Sequence, residues 1–245
     1  MEKSTSTARS PESWTEYLRS VDTPTLSNAI ELLKLRPSHE GFTPLQIRAF
    51  FPELGRMCGY AVTAQVETMT KSGESNLDTT VELYRAVGES TKPAVVVLQE
   101  VGGHPDYATH CGEVMATTFQ RLGATGLVSD CAVRDIPEVR RLGFHFFARG
   151  AVASHGHFRI VRVGLPVQIH GLVIHPQDMI HGDENGLILV PKGGLERLPG
   201  VVDSVREAEG KMLEFLRGPQ FSVDGLRKQI EEAREAMRKG AWLPS

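Results

Sequence analysis

Residues 126–150 read GLVSDCAVRDIPEVRRLGFHFFARG. A short apolar run, Gly126–Val128, leads to Ser129, Asp130 and Cys131. Arg134 and Asp135 follow, then a helix-like segment from Ile136 to Leu142, a stop at Gly143 and a second apolar run, Phe144–Ala148. Strand, loop, helix and strand in succession are the repeating unit of an α/β layer. The loop carries a cation and an anion side by side at the carboxyl end of a strand, the edge where ligands bind in open α/β sheets.

The flanking sequence extends the same pattern. Upstream, Ala94–Leu98 (AVVVL) is continuously apolar, as a strand covered on both faces should be. Gly59–Val66 alternates and is β-branched, which predicts a strand, and Leu77–Val87 predicts a helix. Gly112 opens a further helix that runs to about Leu122 and stops at Gly123. Trp14–Ser20 is a short amphipathic helix. Thr23 and Pro24 read as N-cap and first helical position of a second helix. Residues 34–53 and 102–107 are rich in turn residues, and residues 69–76 are polar and expected to be a mobile loop. Downstream, Ile160–Val163, Val167–Ile169, Leu172–Ile174 and Leu187–Val190 are short strands. Val202–Leu216 and Val223–Arg238 are charged, thinly apolar helices.

These elements predict one α/β fold. Residues 1–12 are expected to be a disordered tail, residues 13–200 the α/β domain, and residues 201–245 a C-terminal helical arm on the domain or on a neighbouring subunit. Composition excludes several classes. With 27 Lys and Arg against 30 Asp and Glu, the formal net charge is −3, and no basic stripe suggests nucleic-acid binding. No apolar run approaches the roughly 18 residues of a membrane span. The N-terminus has no apolar segment of the signal-peptide kind. The three cysteines, Cys58, Cys111 and Cys131, are scattered and odd in number, which suits reduced thiols in a cytoplasmic protein.

Two readings of Arg134-Asp135 compete. Asp135 caps the following helix, with Glu138 completing a capping box, and Arg134 is a solvated charge. Alternatively Asp135 is a hard oxygen ligand for a divalent ion and Arg134 holds a substrate carboxylate through its planar fork of donors. Gly112-Glu113-Val114-Met115 is the second candidate. A helix start offers unpaired N–H groups to an oxyanion, and Glu113 either favours the helix dipole or relays a proton. The histidines His155, His157, His170, His175 and His181 invite a zinc reading, with His155 and His157 on one face of a strand. No H-E-x-x-H or Cys/His cluster supports it.

Gly112-Glu113 followed by Arg134-Asp135-Ile136-Pro137-Glu138 resembles the signature of the RraA-like family. Its enzymatic members include 4-hydroxy-4-methyl-2-oxoglutarate aldolases that also decarboxylate oxaloacetate. Asp22–Leu33, Gly59–Thr63, Gly164–Val167 and Asp178–Pro191 are similar to further family segments. Asn28 and Gln177 depart from the residues usual there. The resemblance implies a mixed sheet with a β-barrel-like core flanked by helices, and a C-terminal helical arm. It implies that Asp135 ligates Mg²⁺ or Mn²⁺, and that Arg134, Gly112 and the backbone amides of Val114 and Met115 bind a pyruvyl 2-oxo acid. Glu113 would order the water that protonates the enolate. It further implies a homotrimer or homohexamer in which an acid from a neighbour's arm, Glu207 or Glu209, completes the site. Some family members are instead non-catalytic regulators that bind ribonuclease E and lack the aspartate. Asp135 therefore favours the enzyme. A third reading is the same enolate chemistry on an unfamiliar substrate.

Overall fold

The computed structural model describes residues 10–69 and 77–238. Residues 1–9 of the expected tail and residues 70–76 of the expected mobile loop lie outside them. The chain forms two compact units. One joins residues up to Thr23 to Gly41–Val190; the other joins Pro24–Glu40 to the segment after Val190.

Two helices come first, α1 (Pro11–Arg19) and α2 (Thr23–Leu32). Ser10 caps α1 by accepting from the Ser13 amide, and Pro11 sits at the first helical position. Helix α2 begins at Thr23 itself rather than after it. Asp183 Oδ2 accepts the Thr23 amide at 2.8 Å, and the Thr23 hydroxyl lies 3.1 Å from His181 Nδ1. The side chain read as a cap is thus engaged elsewhere.

The strands are β1 (Arg48–Ala49), β2 (Met57–Glu67), β3 (Ala94–Glu100), β4 (Thr109–Cys111), β5 (Ala124–Ser129), β6 (Ala132–Val133), β7 (His145–Ala148), β8 (Gly150–Ala151), β9 (Arg159–Val163), β10 (Val167–Ile169), β11 (Leu172–Ile174), β12 (Met179–Asp183) and β13 (Gly186–Val190). Helices α3 (Leu77–Glu89), α4 (Glu113–Arg121) and α5 (Ile136–Leu142) lie between them in sequence, and α6 (Leu198–Arg217) and α7 (Val223–Arg238) follow. The main eight-stranded sheet runs β1-β7-β5-β3-β2-β12-β13, with β9 also paired to β2. Strands β2, β3, β5 and β7 are parallel neighbours, so α3, α4 and α5 are crossover helices.

Both faces of the sheet are buried, as the unbroken apolar run of β3 requires. Val96 and Leu98 join Phe119, Leu127, Phe144 and Phe146 in one core cluster, together with residues of α3, α4 and α5. Val95 and Val97 point the other way, into a cluster with Met57, Val128, Phe147, Ile169 and Ile180. The β10–β11 hairpin contributes Val167, Ile169, Leu172 and Ile174 to this second cluster.

The segment Gly41–Ala49 all but closes the sheet. Phe42 bridges Ile188 of β13, and Thr43 exchanges bonds with Leu187 at 3.0 and 3.1 Å. A few residues later β1 pairs with β7 at the opposite edge. One stretch of chain therefore touches both edges, giving the barrel-like core that the resemblance implies.

A separate three-stranded parallel sheet, β4-β6-β8, carries the candidate site. No periodic signal marks it, because two of its strands are two residues long. Arg134 and Asp135 thus follow β6 rather than the longer β5.

In the second unit α6 starts at Leu198, ahead of the predicted Val202. Pro199 stands at the start of the helix, where its missing N–H is harmless, so it initiates rather than breaks. Helix α7 spans the predicted residues.

Candidate functional site

The β4 and β6 strands are parallel neighbours. Gly112-Glu113 therefore leaves the carboxyl end of one strand beside Arg134-Asp135 leaving the other. The Arg134 amide donates to the Cys111 carbonyl at 3.0 Å, which fixes the register.

Asp135 decides between the two readings of its stretch. It occupies the N-cap position of α5 in the left-handed region, φ 56°, and its side chain makes no capping bond to that helix. Glu138 pairs with Arg141 at 3.0 Å and completes no capping box. Instead the carboxylate turns to α4, where Oδ2 accepts the Glu113 amide at 2.8 Å. Left-handed backbone is costly for a residue with a Cβ, though Asp tolerates it better than most. Here it aims the carboxylate at the neighbouring helix start.

Gly112 makes that approach feasible. A Cβ there would stand 2.3 Å from Asp135 Oδ2 and 3.1 Å from Arg134 Cγ and Nε. Its own backbone is extended, φ −127°, and any residue could adopt it. The glycine is required by the side chains packed on it.

Arg134 Nε lies 3.7 Å from Asp135 Oδ2, with both side chains a little over a third exposed, and Nη1 lies 3.5 Å from the Ala153 carbonyl. An exposed pair of this kind is worth at most about 1 kcal/mol. Among the described residues its Nη2 makes no hydrogen bond, so it is available to a ligand. Glu113 and Val114 are exposed in the first turn of α4, and Met115 is partly buried against the core. The first-turn amides of a helix have no intrahelical partner, so those of Val114 and Met115 can receive an oxyanion.

The donor set suits a hard divalent ion. Asp135 Oδ1 accepts no hydrogen bond among the described residues, while Oδ2 is already held. A half-exposed carboxylate with one free oxygen matches what Mg²⁺ takes, since that ion keeps several waters.

Glu207 and Glu209, the expected partner acids, lie on α6. Glu207 pairs with Lys211 at 2.6 Å, and Glu209 accepts from Asn28 Nδ2 at 3.2 Å. The zinc reading of the other histidines does not hold among the described residues. His155 and His157 lie on no strand. His175 pairs with Asp178, and His181 is buried between Thr23 and the Leu18 carbonyl.

Behind the site lies a polar network that the sequence did not single out. His110 of β4 contacts Glu100 Oε2 at 3.1 Å and Ser129 Oγ at 2.8 Å, all three residues being buried. Burial works against the Glu100 carboxylate, but bonds from His110, Thr68 and Gly102 overcome it and hold it below its usual range. Burial pushes the His110 imidazole below its usual range. It also pushes Asp130, whose Oδ1 accepts the Glu100 amide, up to about 7. Only Ser129, Asp130 and Cys131 were visible as a strand end; Glu100 and His110 come from distant strands. An open cleft of about 490 Å³ lies along β6 and β8, between Arg48, Asp106, Arg149 and Val152. Neither Arg134 nor Asp135 lines it, so the chemistry of the donor groups locates the site.

A mixed α/β core with a nearly closed, barrel-like sheet flanked by helices defines the class. The RraA-like family (Aldolase/RraA) matches residues 23–189, and the chain belongs to it. Over 138 residues, 56% of the chain, it is 30% identical to the Halalkalibacterium halodurans protein named "Putative 4-hydroxy-4-methyl-2-oxoglutarate aldolase". The match spans 63% of that protein, and in general the chain spans less than two thirds of the curated relatives it matches. A chain from a crystal structure of novel cellulases from gut-associated microbes aligns with a TM-score of 0.71 at 20% identity, covering 85% of this chain and 90% of that one. RraAS2 of Streptomyces coelicolor, an unusual member of the RNase ES inhibitor RraA protein family, aligns with a TM-score of 0.60 at 23% identity, covering 83% of this chain and 96% of that one. At these identities the structural likeness shows the fold. No helix among the described residues is long and apolar enough to cross a membrane.

Proposed function

We propose that the chain is a divalent-metal-dependent carbon–carbon lyase acting on pyruvyl 2-oxo acids. It cleaves substrates of the 4-hydroxy-4-methyl-2-oxoglutarate type, decarboxylates oxaloacetate, or does both. The observation that carries this reading is the Asp135 carboxylate, turned from its own helix to the start of α4 beside Arg134.

Asp135 would hold Mg²⁺ or Mn²⁺. When bound, the ion supplies a Lewis acid for charge developing on the 2-oxo oxygen. Arg134 takes the substrate carboxylate through paired N–H donors. The Val114 and Met115 amides, fixed before the reaction begins, stabilise the oxyanion without reorganisation. In the retro-aldol direction the 4-hydroxyl proton passes to water, C4 becomes the carbonyl carbon of the departing fragment, and the electron pair of the broken C3–C4 bond enters the pyruvate enolate. In decarboxylation the same enolate forms as carbon dioxide departs. Glu113 orders the water that returns a proton to C3. An acid from a neighbouring copy, Glu207 or Glu209, completes the site within a trimer or hexamer.

Pyruvate release, coupled to lactate dehydrogenase, tests the reading with both substrates, with Mg²⁺ and with EDTA. Release that stops with EDTA and returns with Mg²⁺ is expected. No release from either substrate sinks it.

A further inference from the structure

The polar network behind the site contains one nitrogen, one oxygen and one sulfur donor in a common space. We propose that Glu100, His110 and Cys131 form a structural zinc site, separate from the Asp135 site and pinning the strands that carry it.

One ligand atom from each residue lies within 4.8 Å of the other two, and all three residues are buried. His110 Nε2 and Glu100 Oε2 are 3.1 Å apart. Two donors about 2.0 Å from a tetrahedral ion are separated by about that distance. The Ala108 carbonyl oxygen accepts from the Cys131 thiol at 2.9 Å, a hydrogen bond that gives way when the thiolate takes the ion.

The surroundings are those of a metal site. A metal-bound histidine needs its other nitrogen oriented, and Ser129 Oγ stands 2.8 Å from His110 Nδ1. The same hydroxyl oxygen accepts the Cys131 amide at 2.9 Å, so it also fixes the cysteine backbone. Glu100 is oriented by the Thr68 hydroxyl at 2.7 Å and the Gly102 amide at 2.8 Å.

Proton and charge accounting favours loading. In the metal-free network the His110 Nε2 proton faces Glu100, and the thiol donates to Ala108. On binding, the imidazole stays neutral, and its proton moves to Nδ1 facing Ser129. The thiol loses its proton to solvent, so each ion bound releases one proton. One thiolate and one carboxylate then cancel the 2+ charge, and a buried site ends neutral. The thiol alone is a poor acid, because burial and the nearby Glu100 and Asp130 carboxylates oppose its ionisation. A coordinated thiol is deprotonated by the ion itself. Thiolate with imidazole selects zinc over the hard Mg²⁺ suited to Asp135.

The placement states the role. Glu100 ends β3, His110 lies in β4 two residues before Gly112, and Cys131 joins β5 to β6 just ahead of Arg134. An ion here would tie together the two strand ends whose outlets form the candidate site.

The test needs no turnover, so its outcome is independent of the lyase reading. Full-length protein purified without chelator should contain one zinc per chain by elemental analysis. Cobalt exchanged for zinc should give a thiolate-to-cobalt absorption band. Cys131→Ser and His110→Gln should each reduce bound zinc at least about tenfold, since a structural ion is held by all its ligands together. Asp135→Asn should retain it. X-ray absorption of the wild type is the safeguard if a variant fails to fold: it should show one sulfur at about 2.3 Å with nitrogen and oxygen neighbours. Metal-free protein that gains no cobalt band, or an absorption shell of oxygen and nitrogen alone, overturns the proposal.

Discussion

At the scale of single residues, the site rests on two positions that ordinary rules of helix capping would misassign. Asp135 stands where a capping aspartate stands, yet its carboxylate belongs to another helix. Asp135→Asn keeps a side chain that tolerates the left-handed backbone and removes the charge. The variant is expected to fold normally and to lose metal-dependent pyruvate release by about 10²-fold or more, the usual size of losing one preorganised electrostatic partner. Retained activity would return Asp135 to a purely structural role. Gly112→Ala separates geometry from chemistry. The added methyl meets Asp135 Oδ2 at 2.3 Å while the backbone stays relaxed. Melting temperature should therefore move little, and kcat/KM should fall by up to about 10²-fold, because displacements near 1 Å at a reacting centre are that costly. A drop in stability with unchanged kinetics would contradict this.

At the scale of elements, the β12 strand is tied to Leu18 of α1 and to Thr23 through His181. Its Nε2 faces the Leu18 carbonyl at 3.1 Å, and a carbonyl only accepts, so Nε2 carries the proton and Nδ1 accepts from the Thr23 hydroxyl. Burial pushes this imidazole from 6.5 down to about 4. The unfolded chain therefore binds a proton between those values while the folded chain does not. The stabilisation is complete above about pH 6.5 and is lost as pH falls towards 4. At about 1.4 kcal/mol per pH unit the effect is at most about 3.5 kcal/mol. His145, also pushed down to about 4 by burial, acts with the same sign. Urea unfolding at pH 7 and pH 4.5 should show a smaller acid loss in His181→Gln than in the wild type. Equal losses would mean that His181 does not titrate on unfolding.

The same scale shows how far the sequence could be read. Long apolar runs such as β3, and helix signals such as Gly112 and Gly143, placed the parallel strands and crossover helices, because burial and capping act locally. The small β4-β6-β8 sheet left no such trace: two residues cannot display a period. Nor could spacing reveal that Glu100, His110 and Ser129 meet, since only the strand order brings them together. Arg134, Asp135 and Gly112 were legible as a pair of neighbouring motifs. The left-handed turn that joins them was not, because aspartate at a helix start ordinarily signals the opposite orientation.

At the scale of the whole molecule, the segment Gly41–Ala49 links the two ends of the main sheet. Thr43 is its fastening: the hydroxyl accepts the Leu187 amide at 3.1 Å, and the Thr43 amide donates to the Leu187 carbonyl. Thr43→Val keeps the shape and leaves a buried amide without its acceptor. A stability loss of about 1–3 kcal/mol by denaturant titration is expected, and a loss under about 0.5 kcal/mol would show that this bond does not hold the edge. The closure also bears on how copies of the chain could assemble. A free sheet edge is a template on which another chain can add a strand. Here β13 is bridged at Phe42, and β7 is covered by β1. The outer sides of these two strands are thus already engaged in backbone pairing. At these two strands, association between copies would rest on side chains, where charge and shape choose the partner and where single substitutions can retune it.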